Sequence, residues 1–184
     1  MPARVQTFGF RSWRVAMWAA AAALLSIPAI AMQFTSDVDW SGSDFIVMGI
    51  MLGTAFGTFD LASRISGSIP YRAGAGVAVA ASFFLVWCNL AVGIIGSESN
   101  PANLMFGAIL IVALAGSIVA RFEASGMSRT MIVTGAMQAG IGIIALIGNM
   151  GAAKESWPTD IIVVTLVFTG MWLVAAWLFR LADR

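Results

Sequence analysis

The sequence predicts an all-α polytopic membrane protein, a transmembrane helix bundle of six helices in a single domain with both termini in the cytoplasm. Three observations predict it. The first concerns solvent. Of 184 residues, 60% are hydrophobic and 10% are charged, and mean hydropathy is +0.91. A soluble domain carries about 25% charged residues to cover its core, and this chain lacks that cover. The second concerns length. A hydrocarbon core about 30 Å thick is crossed by about 20 residues rising about 1.5 Å each, and six apolar stretches reach that length. None alternates polar and apolar residues as a barrel strand would. The third concerns charge. Arg4, Arg11, Arg14, Arg64, Arg72, Arg121, Arg129, Arg180 and Arg184 fall on one side of the six spans and only Lys154 falls on the other. That is nine of the 10 positive charges, a positive-inside pattern that puts both ends in the cytoplasm.

The first span, 14–33, follows Arg11 and Arg14 and contains Pro28, which is expected to kink it. Its end, Pro28-Ala29-Ile30-Ala31, also resembles a signal-peptidase site, but the run is long for a signal core of about 7–15 residues. A retained helix is the preferred reading, and cleavage would leave five helices in the same orientation. The second span, 44–63, begins behind an acidic loop, with Ser43 or Asp44 as its cap. The third, 73–96, is followed by a dense polar stretch, Ser97-Glu98-Ser99-Asn100-Pro101. A plain account of that stretch is that Asn100 caps the fourth span, 103–120, and Pro101 takes the first helical position, where no N–H partner is needed. The fifth span, 129–148, follows Arg121 and Arg129. Trp157-Pro158-Thr159-Asp160 begins the sixth, 160–179, in a similar way. Trp40 and Trp157 would mark the outer interface. Trp13, Trp18, Tyr71 and Trp177 would mark the inner one.

The pairs Arg64/Arg72 and Arg121/Arg129 each lie eight residues apart, with Gly67 and Gly126 between them. Either a duplication of spans 2–3 and 4–5 or the ordinary arginine content of short inner loops accounts for this. Cys88 stands alone in an apolar run, so it forms no intrachain disulfide and has no metal-ligand companions. Histidine is absent, which removes the commonest metal ligand and neutral-pH base. Net charge is +1, too small to attract nucleic acid. No cofactor, metal or catalytic residue is expected.

Between 27 and 147 the sequence resembles a family of small bacterial membrane proteins with no established function. Met32-Gln33-Phe34-Thr35, Asp37, Val38, Asp39, Trp40 and Asp44-Phe45 carry the resemblance. So do Trp87, the run Asn89-Leu90-Ala91-Val92-Gly93-Ile94-Ile95-Gly96, Glu98, and Asn100-Pro101-Ala102-Asn103-Leu104-Met105. Ala120-Arg121-Phe122 and Gly126-Met127 belong to it as well. The resemblance implies a bacterial inner membrane and brings no activity. It does not reach the sixth span.

Several residues are candidates for function. Asp37-Val38-Asp39-Trp40-Ser41-Gly42 opens like a calcium loop, but the twelfth position, which should be a bidentate acid, is Met48. Gly49, Gly53 and Gly57 form a four-residue stripe where a neighbouring backbone can approach. Asp60 lies in the same span, one turn before Arg64. The two either pair at the inner interface, with Arg64 snorkelling outward, or Asp60 handles a proton or cation. Asn89 and Gln138 are the other polar intrusions. By depth Asp60, Gln138 and Asn89 are staggered from inner leaflet to outer, as a polar path would be, or they form interhelical hydrogen bonds. Glu98 is the outer-loop acid that a cap does not require. Trp87 and Trp172 lie within spans and are expected to pack.

The leading functional expectation is a non-enzymatic membrane protein, a subunit or stabiliser of a membrane complex, whose partners are the lipid bilayer and other membrane proteins or further copies of itself. The alternative is a small transporter or channel using Asp60, Gln138 and Asn89. An intramembrane enzyme fits least, for want of a nucleophile with an evident base.

Overall fold

A computed structural model describes residues 8–184, with side chains from Arg14 onward, so Arg4 and the side chains of Arg11 and Trp13 lie outside the described residues. The described chain is helical throughout, without a strand. The helices are α1 (Phe8–Ala31), α2 (Gly42–Ile65), α3 (Ile69–Ala91), α4 (Met105–Val119), α5 (Ala124–Ile147) and α6 (Thr159–Ala182). One 3-10 turn, Pro101–Leu104, leads into α4. All six helices are long and apolar enough to cross a membrane. Ile111, Leu114, Leu166 and Val167 are among many large apolar side chains left exposed, which suits a lipid-facing surface and would be a liability in water.

The helices begin and end where local chemistry dictates. The cap of α2 is Ser41, one position outside the helix, and not Ser43. Its amide donates to Asp44 Oδ2 at 2.7 Å, and the Asp44 amide donates back to Ser41 Oγ at 3.4 Å. This is a reciprocal capping box with Asp in the place of Glu. Asn100 caps the next start as its sequence predicts, accepting from the Ala102 amide at 3.0 Å ahead of Pro101. The third helix lies earlier in the chain than its hydropathy suggests, beginning at Ile69. It ends at Ala91 and not at residue 96, because Gly93 turns the chain at φ +67. Ile94 and Ile95 are apolar because they tuck back into the core, 3% and 0% exposed, and not because they extend the helix. α1 runs through Pro28 unbroken to Ala31.

The chain divides into two compact units, one ending at Leu61 and the other Ala62–Arg184. In the first, α1 and α2 form an antiparallel hairpin with constant register. Arg14 meets Asp60, Trp18 meets Phe56 with ring centroids 6.5 Å apart, and Leu25 lies over Gly49.

In the second unit α6 is central, packed against both α5 and α3, and α4 packs against α5. The buried face of α5 repeats every three or four residues through Met127, Met131, Thr134, Gln138, Ile141 and Ala145, the spacing of a knobs-into-holes seam. Glycines set the close approaches. A Cβ at Gly74 would meet the Ala175 carbonyl and Phe179 at 3.3 Å, and one at Gly135 would meet Trp172 at 3.3 Å.

The two arginine-bearing turns are built differently. Between α2 and α3, Arg72 Nε donates to the Ser66 carbonyl and Nη2 to the Ser63 carbonyl, each at 3.1 Å, which satisfies carbonyls at the end of α2. Between α4 and α5, Arg121 and Phe122 take positive φ (50 and 59), and Tyr71 Oη donates to the Phe122 carbonyl at 2.7 Å. Gly67 lies in a turn, whereas Gly126 lies inside α5.

Candidate functional site

The polar residues that the spans should have excluded fall into three settings. Asp60 belongs to the first unit. It is 6% exposed, and its Oδ2 lies 3.0 Å from Arg14 Nη2, whose side chain is 45% exposed. Sequence spacing offers Arg64 as the partner; a bridge to Arg14 depends on the hairpin register, which spacing within α2 does not contain. Arg64 itself is exposed in the last turn of α2. On the glycine stripe, Gly49 sees Leu25 at 3.8 Å, but a Cβ at Gly53 or Gly57 would meet nothing within 4 Å. Leu52, on the neighbouring face, is the buried residue at 7%.

The second setting is the α5–α6 interface. Gln138 is 0% exposed, and neither its Nε2 nor its Oε1 has a hydrogen-bond partner. Across from it, Thr165 Oγ1, Thr169 Oγ1 and Trp172 Nε1 are buried and equally unpartnered. Asn89, on α3, donates Nδ2 to the Leu85 carbonyl at 2.7 Å, while its Oδ1 is buried without a partner. No hydrogen bond joins Asn89 to Gln138. Trp172 packs in the core at 0% exposure, but Trp87 is 41% exposed and clusters with Phe83 and Phe84.

The third setting is where the 92–100 and 148–158 loops meet. Asn103 organises it. Its Oδ1 accepts from the amides of Ile94 (3.1 Å) and Ile95 (2.8 Å), and its Nδ2 donates to the carbonyls of Ile95 (3.3 Å) and Ser97 (2.7 Å). One buried side chain therefore satisfies four backbone groups of the returning loop. The two loops touch through glycine. Gly151, at φ +79, would place a Cβ 2.5 Å from the Gly96 amide, so no other residue fits there. Lys154 Nζ bridges the Gly93 carbonyl at 3.4 Å and Asp160 Oδ2 at 3.2 Å. Asp160 also accepts from Ser156 Oγ at 2.9 Å. Beside them is a shallow groove of about 710 Å³, lined by Glu98, Asn100, Asn149 and Lys154 among others. Glu98 is exposed there. Hydropathy marks neither Asn103 nor Lys154. The signal for Asn103 was its place in the Asn-Pro-Ala-Asn run, which reads first as a cap.

Among the described residues no three Cys, Asp or Glu side chains gather as metal ligands would. Comparison with protein-family models, with curated proteins and with solved structures gave no match.

Proposed function

We propose that the protein is a non-enzymatic subunit or stabiliser of a membrane complex, with the α1–α2 hairpin as its partner-facing element. One observation carries this. Gly53 and Gly57 continue the stripe begun at Gly49, yet nothing of the facing α1 comes within 4 Å of a Cβ placed on either. Glycine within a helix costs about 1 kcal/mol relative to alanine, and a stripe of it is useful where a second helix comes close. Gly107, Gly140 and Gly170 are open as well, but each stands alone. The occupant we favour is a transmembrane helix of another membrane protein. Purification of the full chain in mild detergent, with mass spectrometry of what accompanies it, tests this. A stoichiometric membrane protein that is lost on Gly53→Leu is expected; a lone monomer in both variants would count against it.

The arginine asymmetry supports an orientation with both termini in the cytoplasm, and the bacterial inner membrane is the location the sequence resemblance implies. With Cys88 replaced, a cysteine at Ser99 should react with an impermeant thiol reagent in intact cells. A cysteine at Ser125 should react only after permeabilisation, and the opposite pattern would invert the topology.

A second reading, a small transporter or channel, is favoured by Gln138 alone, a buried mid-span amide with both polar atoms unpartnered. Asp60 and Asn89 contribute less, since each already has at least one bond to the chain.

A further inference from the structure

Five unpartnered polar atoms lie along one helix interface. The register of α5 on α6 brings them together. A Cβ at Gly142 would fall on the Thr165 side chain, and one at Gly135 would meet Trp172 Cβ at 3.3 Å and the Thr169 carbonyl at 3.7 Å. Seven residues, or two turns, separate the two contacts on each helix. Gln138 lies between them, three residues past Gly135 and four before Gly142, level with Thr169. The register thus places Gln138 Nε2 and Oε1, Thr165 Oγ1, Thr169 Oγ1 and Trp172 Nε1 in one seam of the α5–α6 interface, about midway along both helices.

The seam is an exception within its own unit. Thr130 and Thr134, on the same α5, donate to the carbonyls of Gly126 (3.0 Å) and Thr130 (2.9 Å). Ser117 on α4 donates to the Ala113 carbonyl at 2.6 Å. A buried hydroxyl on a helix has this route open to it, yet Thr165 and Thr169 do not take it. Leaving a polar group unbonded in a bilayer is unfavourable, and an ordered water is one of the ways a protein satisfies such buried groups.

We infer that the α5–α6 seam is an intramembrane binding site for water and for uncharged molecules of similar size that both donate and accept hydrogen bonds. The donor set decides the chemistry. An amide NH₂ and an indole N–H stand beside two hydroxyls and one carbonyl oxygen, so any cation held by the oxygens would face N–H groups. No acid lies in the seam; the one acid of α6, Asp160, sits in its first turn and is held by Lys154. The glycine contacts limit the space, since α5 and α6 touch closely on either side of Gln138. A molecule much larger than water would have to part the helices at Gly135 and Gly142. This deepens the transporter reading by naming its solute class, and the test below reads hydration of the seam and not transport.

The test is hydrogen exchange of the Trp172 indole N–H, followed by NMR on the full chain in lipid nanodiscs after transfer to deuterated water, with Trp172→Phe assigning the signal. Water is the probe. The Trp172 indole is expected to exchange while the backbone amides of mid-α6 remain protected. Gln138→Met, which keeps the volume and removes the amide, should slow that exchange about tenfold, the equivalent of about one lost hydrogen bond. Thr169→Val, losing only a hydroxyl, should act in the same direction and stands in if Gln138→Met fails to fold. An indole as protected as the surrounding amides, or exchange indifferent to both substitutions, would overturn the site. A wet seam in a protein that passes no solute through liposomes would leave the site standing and remove only the transporter reading.

Discussion

The α1–α2 hairpin and the α3–α6 unit are both built of apolar helices of spanning length and use them differently. About 11% of the spanning residues are buried in each of α1 and α2, against 28%, 22%, 39% and 28% in α3 to α6. In the larger unit, small residues bring helices together: Gly74 against α6, Gly135 and Gly142 against α6, Gly116 against Thr130. In the hairpin a Cβ at Gly53 or Gly57 would meet nothing of α1 within 4 Å. Polarity differs too. The hairpin holds a charged pair, a buried Asp60 with a half-exposed Arg14, toward one end of its helices, and the larger unit buries neutral amides and hydroxyls midway along α5 and α6. A membrane helix is therefore not assigned its role by hydropathy. What matters is which of its faces another backbone approaches.

The sharpest way to break the larger unit is Asn103→Ala. It orphans the buried amides of Ile94 and Ile95 and two carbonyls, and a loss of about 2–4 kcal/mol is expected, since each buried orphan costs about 1–3 kcal/mol. Thermal unfolding in detergent measures it, with Asn149→Ala in the adjoining loop as the mild control. Equal effects would mean that Asn103 is not the organiser of the loop.

Next is the contrast between glycines. Gly142→Leu would drive a side chain into Thr165, and overpacking of this kind costs about 1–3 kcal/mol. Gly53→Leu meets open space and should leave the melting temperature of the purified chain within error of the wild type. Similar losses at both positions would erase the distinction between the two units.

The smallest expected effect is at the ion pair. Asp60→Asn or Arg14→Gln should each lower stability by about 1 kcal/mol, at the low end because Arg14 remains 45% exposed. The double change should recover part of the loss, because removing one side of a buried pair leaves the other charge less compensated than removing both. Additive losses in a four-variant cycle would show that the two are not energetically coupled.

The six spans, their order and the Asn100–Pro101 start could be read from the sequence because each depends on residues close in the chain. The end of α3 could not. Ile94-Ile95 is as hydrophobic as a helix, and only Gly93, with its positive φ, and Asn103, ten residues on, reveal a returning loop. Arg14 as a partner of Asp60 is not legible, because that bridge depends on hairpin register, whereas spacing within α2 offers Arg64. Gln138 stood out in the sequence as a polar intrusion, but its neighbours Thr165, Thr169 and Trp172 did not. Threonines in membrane helices ordinarily satisfy themselves, and only the packed register shows that these two do not. The glycine stripe was visible as a pattern, while its openness was not, since spacing says which face is small and not what covers it.

The claim that α1–α2 faces a partner is tested most directly by photo-cross-linking in the native membrane. An aliphatic diazirine residue at position 50 would replace Ile50, which is 65% exposed beside the stripe, and one at position 166 would replace Leu166, 68% exposed on α6. The two sites are equally open, so lipid alone would treat them alike. A discrete protein adduct from position 50, with only lipid adducts from position 166, is the predicted result. Lipid adducts alone from both would show that the hairpin faces the bilayer and would contradict the account.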